Sequence, residues 1–340
     1  MSADRAKPER DGRGVRRILL SRTDRIGDLI LSTPAIATVR ASFPGAHVTM
    51  VTSPYNRVAV ERNSDLDELI DLPREIQGGA FGARFRGYDV AIALAPRATD
   101  ISLVGATQAR IRVGYTYTRR WLARLTARLS LNRVMISPAD PELCERDPNR
   151  IVPHEVDQLL ELVSLAGATT RMTALRLDVT EEDRAAVAHV PRDPIVLHLG
   201  QRWFSNGSTL ESTLALAAEL SRFDLSLVVS CATECDDYAQ AFEARGHTVL
   251  RSLPFHQWVA LFERARCVVT VDTGATHVAS AMRRPTLVAF EHRYFRLNSQ
   301  EWAPYRVPSV LVRKPGSEDD AALAAFRAQI VRGVHELIDA

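Results

Sequence analysis

Two short segments of this 340-residue chain pair a carboxylate with a glycine where an apolar run gives way to a helical pattern. They are SRTDRIGD, residues 21–28, and VDTGATH, residues 271–277. In the first, Asp28 follows Gly27 and opens a helical stretch. A carboxylate there has two possible jobs. It can cap the helix by accepting backbone N–H bonds, or it can take a proton from an acceptor hydroxyl at the rim of a crevice. The same N–H groups would favour its charged form, so the expectation is a low pKa and a base that works by position. In the second segment Asp272, Thr273 and Gly274 lead into a helix carrying His277. A glycine lets backbone approach a ligand, and free N–H groups at a helix start point at an anion, which suits a diphosphate. A nucleoside diphosphate leaving group needs such donors because negative charge builds on its bridging oxygen. The alternative reading keeps Asp272 and Thr273 as helix caps and His277 as a satisfied helix histidine.

Two further segments add candidates for holding a donor. In IVLHLGQRWFSNGS a strand pattern runs into a polar loop with Arg202 and Ser205, where the arginine could hold a diphosphate or stand free at the surface. In LVVSCATECDDYAQAF, Glu234 follows a strand, the position from which an acidic residue accepts bonds from ribose hydroxyls; an exposed helix-start glutamate is the alternative.

Other chemistries find no support. Asp65, Leu66 and Asp67 form a D-x-D, but it lies in a turn with no third ligand placed by the sequence, so no metal site is expected there. Cys144, Cys231, Cys235 and Cys267 make no C-x-x-C pair and are assigned no chemistry. There is no Walker motif, and no G-x-G-x-x-G follows the first strand.

The elements that must position these residues follow from periodicity. The length suits two domains at roughly 100–200 residues each. Hydrophobic residues at 46% and charged residues at 25% fit a globular protein and argue against disorder or a fibrous repeat. RRILLSR, HVTMVTS, DELIDL and DVAIALA read as strands in the first half, with one helix over DLILSTPAIATVRASF. DPIVLHLG, LSLVVSC, CVVTVDTG and TLVAF repeat the pattern in the second, and DDAALAAFRAQIVRGVHELIDA reads as an amphipathic terminal helix. Short apolar runs alternating with helices imply parallel, doubly wound α/β sheets. We therefore expect two facing Rossmann-like domains, 1–175 and 176–340, with a hinge near Thr170 to Thr180. Their ligands would lie in the cleft between them, at the carboxyl ends of the strands. No apolar run is long enough to span a membrane, and the first fifteen residues lack a signal-peptide core, so a cytoplasmic location is expected. The net charge of +2 conceals arginines crowded from Arg110 to Arg133. They form either a solvated helix face or a peripheral contact with an anionic acceptor or membrane surface. No nucleic-acid partner is expected.

Two of these segments together resemble the lipopolysaccharide heptosyltransferases of glycosyltransferase family nine. ILLSRTDRIGDLILSTPAIATVRASFPGAHVTMVTS is similar to that family's opening strand, its G-D signature with a downstream proline, here Pro34, and its second strand. VVTVDTGATHVASAMRRPTLVAF is similar to its D-T-G-x-x-H-x-A signature. The resemblance implies a GT-B fold, with 1–175 binding the acceptor and 176–340 the nucleotide-sugar donor, and an inverting, metal-independent transfer from that donor, most commonly ADP-heptose, to lipopolysaccharide core or a related acceptor. No cofactor is implied, the donor being a substrate. It implies Asp28 as catalytic base, Asp272, Thr273, Gly274 and His277 as the donor loop, and Glu234 at the ribose. The sequence departs from the family pattern in two places. The loop 198–208 has no lysine for the donor phosphates, leaving Arg202 as the substitute, and Glu291, His292 and Arg293 follow TLVAF where the family has a glycine and a small polar loop. A nucleotide-sugar epimerase and a non-catalytic nucleotide-sugar binder remain as alternatives on the same architecture.

Overall fold

The computed structural model describes residues 14–118 and 121–339. Its first half runs β1 (Arg17–Ser21), α1 (Ile26–Leu31), α2 (Thr33–Ser42), β2 (His47–Thr52), β3 (Glu68–Asp71), α3 (Gly78–Gly82), β4 (Val90–Ala93), α4 (Ala98–Ala106), β5 (Ile111–Tyr117), α5 (Trp121–Ser130) and β6 (Arg133–Ser137), followed by α6 (Pro141–Arg146) and α7 (Glu155–Leu165). The second half runs α8 (Glu181–Ala186), β7 (Ile195–Leu199), α9 (Leu210–Leu220), β8 (Leu227–Cys231), α10 (Asp236–Glu243), β9 (Thr248–Arg251), α11 (Phe255–Arg264), β10 (Cys267–Val271), α12 (Gly274–Ala281), β11 (Thr286–Phe290), α13 (Phe295–Glu301), β12 (Ser309–Arg313) and α14 (Asp320–Asp339).

The strands make two six-stranded sheets, ordered β3-β2-β1-β4-β5-β6 and β12-β11-β10-β7-β8-β9, with every pairing parallel. Counted from its own first strand, each sheet has the same doubly wound order. Each reverses direction between its first and fourth strands, β1/β4 and β7/β10. Ligands of such sheets bind outside the carboxyl ends of the strands at that switch point. The central strands β1, β4, β7 and β10 are almost wholly buried, which is why they read as short uninterrupted apolar runs.

The expected single helix over Asp28 to Phe43 is in fact two. Ser32 ends α1, and Pro34 sits in the first turn of α2, because a proline ring would collide with the carbonyl four residues earlier in a continuous helix. Four strands escaped the sequence reading: β5, β6, β9 and β12. Three of them are half-exposed sheet edges. β5 carries Arg112 and Gly114, and a Cβ at Gly114 would come within 2.6 Å of the Leu131 side chain. The arginine-rich stretch from Arg110 to Arg133, read as either a solvated helix face or a contact with an anionic partner, is thus β5, α5 and β6, with Arg119 and Arg120 outside the described residues.

The segment between α7 and α8 has no regular secondary structure and is tied to α2. Ser42 Oγ accepts the N–H groups of Thr169 and Thr170, Thr38 Oγ1 accepts Met172, and Thr33 Oγ1 accepts Arg176. One hydrophobic cluster runs through both halves, joining Leu29 and Ile30 of α1 to Ala275, Val278 and Ala279 of α12. Removing that much apolar surface from water is the main force holding the halves together.

Candidate active site

The four loops at the two switch points meet in one crevice with two lobes. The larger lobe, about 560 Å³, is lined by Arg25 and Gly27 after β1, Gly200 and Arg202 after β7, Glu234 after β8, and Asp272 to Ala275 after β10. Tyr55, Phe255, Trp258 and His198 give it an aromatic wall, suited to stacking a planar base. The smaller lobe, about 370 Å³, is lined by Arg22, Asp24, Asp28, Arg97, Tyr115, Tyr117, His277 and Trp302. Arg25, Gly27, Arg202, Asp272, Thr273 and Gly274 line both lobes and form the floor between them.

The two sequence signatures touch. A Cβ on Gly27 would fall 2.8 Å from His277 Cδ2 and 3.0 Å from the Gly274 Cα. The start of α1 can therefore approach the start of α12 only because residue 27 has no side chain. Gly27→Ala is expected to push these helices apart and lower transfer by about 10²-fold, the size of effect that a 1 Å misplacement of reacting groups produces. Steady-state kinetics with an unchanged far-ultraviolet circular dichroism spectrum would check this; wild-type kcat/KM in the alanine variant would refute it.

Asp28 sits in the first turn of α1, yet it caps nothing. The cap position is Arg25, which makes no side-chain cap bond. Among the described residues the only cation within 4 Å of the Asp28 carboxylate is Arg22, whose Nη2 lies 3.8 Å away. Arg22 is itself almost fully buried. It spends its other donors on Asp24 at 3.1 Å, Ser32 at 3.1 Å and Glu155 at 3.0 Å, and Tyr115 donates to the same Glu155 oxygen at 2.8 Å. The expected low pKa of Asp28 is reversed. Burial pushes the carboxyl up to about 7, Arg22 opposes the rise, and the Asp24 and Glu155 charges reinforce it. Desolvation outweighs the short helix's N–H groups because this carboxylate is largely buried and receives no hydrogen bond from them.

On the second signature, Thr273 is the cap residue of α12 but makes no side-chain cap bond. The first N–H groups of the helix therefore start at the shared floor without a side-chain acceptor, as an anion site requires. Asp272 is not a cap either. Its carboxylate takes Arg202 Nη1 at 2.6 Å, and its carbonyl takes the same nitrogen. Burial raises the Asp272 pKa and the Arg202 charge works against that rise. His277 is not a satisfied helix histidine: it is 4% exposed, and its Nδ1 has no hydrogen-bond partner. Burial holds its pKa down at about 3, with His154 and Arg22 adding to the effect. A neutral imidazole therefore faces the smaller lobe.

Ser205 is the candidate that the fold does not bring in. It lines neither lobe, and its carbonyl accepts Lys314 Nζ. The same ammonium donates to the Arg202 carbonyl and pairs with Glu291 at 3.2 Å. Lys314 is 1% exposed, so it braces the Arg202 loop from behind. Glu291, one of the departures from the family pattern, is thus the partner of the lysine that holds this loop. Asp65 and Asp67 pair with Arg176 and Arg40 and line neither lobe. Sequence reasoning missed the aromatic wall and the Arg22–Glu155 pair. Aromatic residues just after β2 and β9 were the available signal for the wall; nothing local marks Glu155.

Residues 213–318 match the family model described as glycosyltransferase family 9 (heptosyltransferase). Over that stretch the chain is similar to the family 9 glycosyltransferases. The matched stretch of this glycosyltransferase contains Glu234, the D-T-G loop and Lys314. Solved structures extend the likeness to the whole chain. A family 9 glycosyltransferase from Veillonella parvula superposes with a TM-score of 0.75 at 17% identity, over 96% of this chain and 97% of that one. The E. coli ADP-heptose heptosyltransferase II gives 0.71 at 16% identity over 95% and 98%. The E. coli heptosyltransferase WaaC with ADP gives 0.65 at 17% identity over 95% and 100%. At such identities the likeness establishes the fold, which is the GT-B-like, heptosyltransferase-family glycosyltransferase fold. No curated protein sequence matches the chain.

Proposed function

We propose that this glycosyltransferase is an inverting, metal-independent enzyme that moves a sugar from ADP-heptose or a close analogue onto a lipopolysaccharide core or related glycan in the cytoplasm. The observation that carries the reading is the meeting of Asp28 with the Asp272–His277 loop across one crevice. In this reaction an acceptor hydroxyl in the smaller lobe loses its proton to Asp28 as its oxygen attacks the anomeric carbon. The bond from that carbon to the diphosphate oxygen breaks on the opposite face, which inverts the configuration. Charge building on the leaving diphosphate falls on Arg202 and the free N–H groups of α12, so ions already in the protein do the work a metal does elsewhere. The base stacks against Tyr55, Phe255 and Trp258, and Glu234 takes the ribose hydroxyls. Arg25 and Arg97 give the acceptor lobe a positive side, which suits an anionic glycan presented at an anionic membrane surface near the Arg110 to Arg133 segment.

Calorimetric titration with ADP, ADP-heptose, UDP and dTDP sugars in EDTA is expected to show selective binding of the ADP species, lost in Asp272→Ala. A preference for UDP or dTDP would reassign the donor, and a requirement for a divalent cation would refute the metal-independent mechanism. UDP-GlcNAc 2-epimerases share this fold; consumption of the donor by the pure enzyme without acceptor would assign the epimerase reaction instead.

A further inference from the structure

Helix α5 is turned the wrong way round for a surface helix of a soluble protein. Trp121, Leu122, Leu125 and Leu129 are 67%, 60%, 54% and 80% exposed, and the one buried residue of the helix is Ala127. At about 100° per residue the four large apolar side chains occupy one arc of about 100°. Arg124 and Arg128 border that arc on one side. The small residues Ala123, Ala127 and Ser130 take the inner side, where α5 packs on α4 and Ser130 closes against Gly105. Apolar residues at helical spacing usually face the core. Here the core-facing positions are small and the large ones are out.

We infer that α5 is an in-plane docking helix for an anionic lipid bilayer. An apolar arc bearing Trp and Leu with arginines along its border matches what lies at the headgroup boundary. The rings and methyls sink to the acyl chains, and the guanidinium groups reach back to lipid phosphates. The charge of the rim selects the occupant: Arg124 and Arg128 beside the arc complement a negative surface. Position gives the docking its use. β5 ends at Tyr117, which lines the smaller lobe, and α5 begins four residues later, within about 14 Å along the chain. A bilayer holding α5 would present its glycolipids to the mouth of the acceptor lobe. This use rests on the proposed transfer to a membrane-held acceptor, whereas the docking itself is read without any turnover.

The test is flotation of the full-length protein with vesicles of equal parts phosphatidylglycerol and phosphatidylcholine, and with phosphatidylcholine alone. The wild type is expected to float with the anionic vesicles and to release in high salt. Leu122→Ser/Leu125→Ser/Leu129→Ser should reduce the bound fraction at least about tenfold, and Arg124→Glu/Arg128→Glu should abolish the preference for anionic lipid. Both variants should keep the wild-type melting temperature and nucleotide affinity, which separates a failure of docking from a failure of the transferase reading. Quenching of tryptophan emission by brominated lipid, lost in Trp121→Phe, would place the helix in the interface. A wild type that stays with the soluble fraction overturns the inference. So does a triple-serine variant that floats normally, or a wild-type dimer in analytical ultracentrifugation that this variant disperses, which would give the face to a second copy of the chain.

Discussion

Asp28→Asn is expected to slow sugar transfer by about 10²–10⁴-fold, the range a positioned general base contributes, while leaving nucleotide affinity close to wild type. The variant keeps the size and shape of the side chain, so α1 and its contact with α12 survive. What it removes is the proton acceptor. The pH profile of the wild type gives a second check. With the carboxyl held at about 7 by burial, the reactive carboxylate accumulates as pH rises. kcat/KM should therefore climb through pH 7 and level off above it, a limb that Asp28→Asn flattens. Stability moves the other way. The folded-state pKa lies above the value of about 3.9 for an unfolded aspartate, so the folded chain binds this proton more tightly. The resulting stabilisation is complete below pH 4 and is lost as pH rises through 7. At pH 8 the wild type keeps a desolvated charge that asparagine lacks, so Asp28→Asn should melt at a higher temperature than wild type there and lose that advantage at pH 4. Near-normal transfer by a folded Asp28→Asn would remove Asp28 from the chemistry.

Arg202→Ala is expected to weaken ADP binding by about tenfold or more, since a hydrogen bond to a charged group contributes about 1.5–3 kcal/mol. Two losses combine. The diphosphate loses its cation at the floor of the crevice. Asp272 also loses the partner 2.6 Å away that offsets its burial, and its carboxylate then repels the phosphates it faces. Arg202→Lys restores the charge but not the planar guanidinium, whose remaining nitrogens can face the diphosphate while Nη1 serves Asp272, so it should recover only part of the affinity. Asp272→Asn placed on Arg202→Ala should relieve the repulsion and restore some stability without restoring wild-type affinity. Calorimetry and thermal melting of the three variants check this, and an Arg202→Ala protein that binds ADP as tightly as wild type would refute it.

Much of the architecture was legible because the buried strands announce themselves. β1, β2, β4, β7, β8, β10 and β11 are short apolar runs closed by polar or glycine residues, and their alternation with helices is the signature of parallel sheets. The half-exposed strands β6, β9 and β12 lack that signature, and β5 was obscured by its arginines. Pro34 was read as part of a family motif when its physical effect is to divide α1 from α2. At the site, the candidates on switch-point loops lie where the two sheets meet. Ser205 failed because only its backbone is used, and a carbonyl's partner leaves no trace in residue type.

Along the chain, residue order by itself determined the two doubly wound halves and put a carboxylate, a glycine and a helix start at the end of β1 and again at the end of β10. Those features depend on neighbours a few residues away. Only the tertiary structure decided what the groups would do. The pKa of Asp28 depends first on its burial and then on Arg22, which Glu155 holds from across 133 residues of sequence, and Lys314 supports the Arg202 loop across 112. The outward face of α5 likewise depends on which side of the helix the sheet covers. Desolvation, ion pairing and exposure are set by whatever the fold brings alongside a group, and short-range sequence patterns carry no record of it.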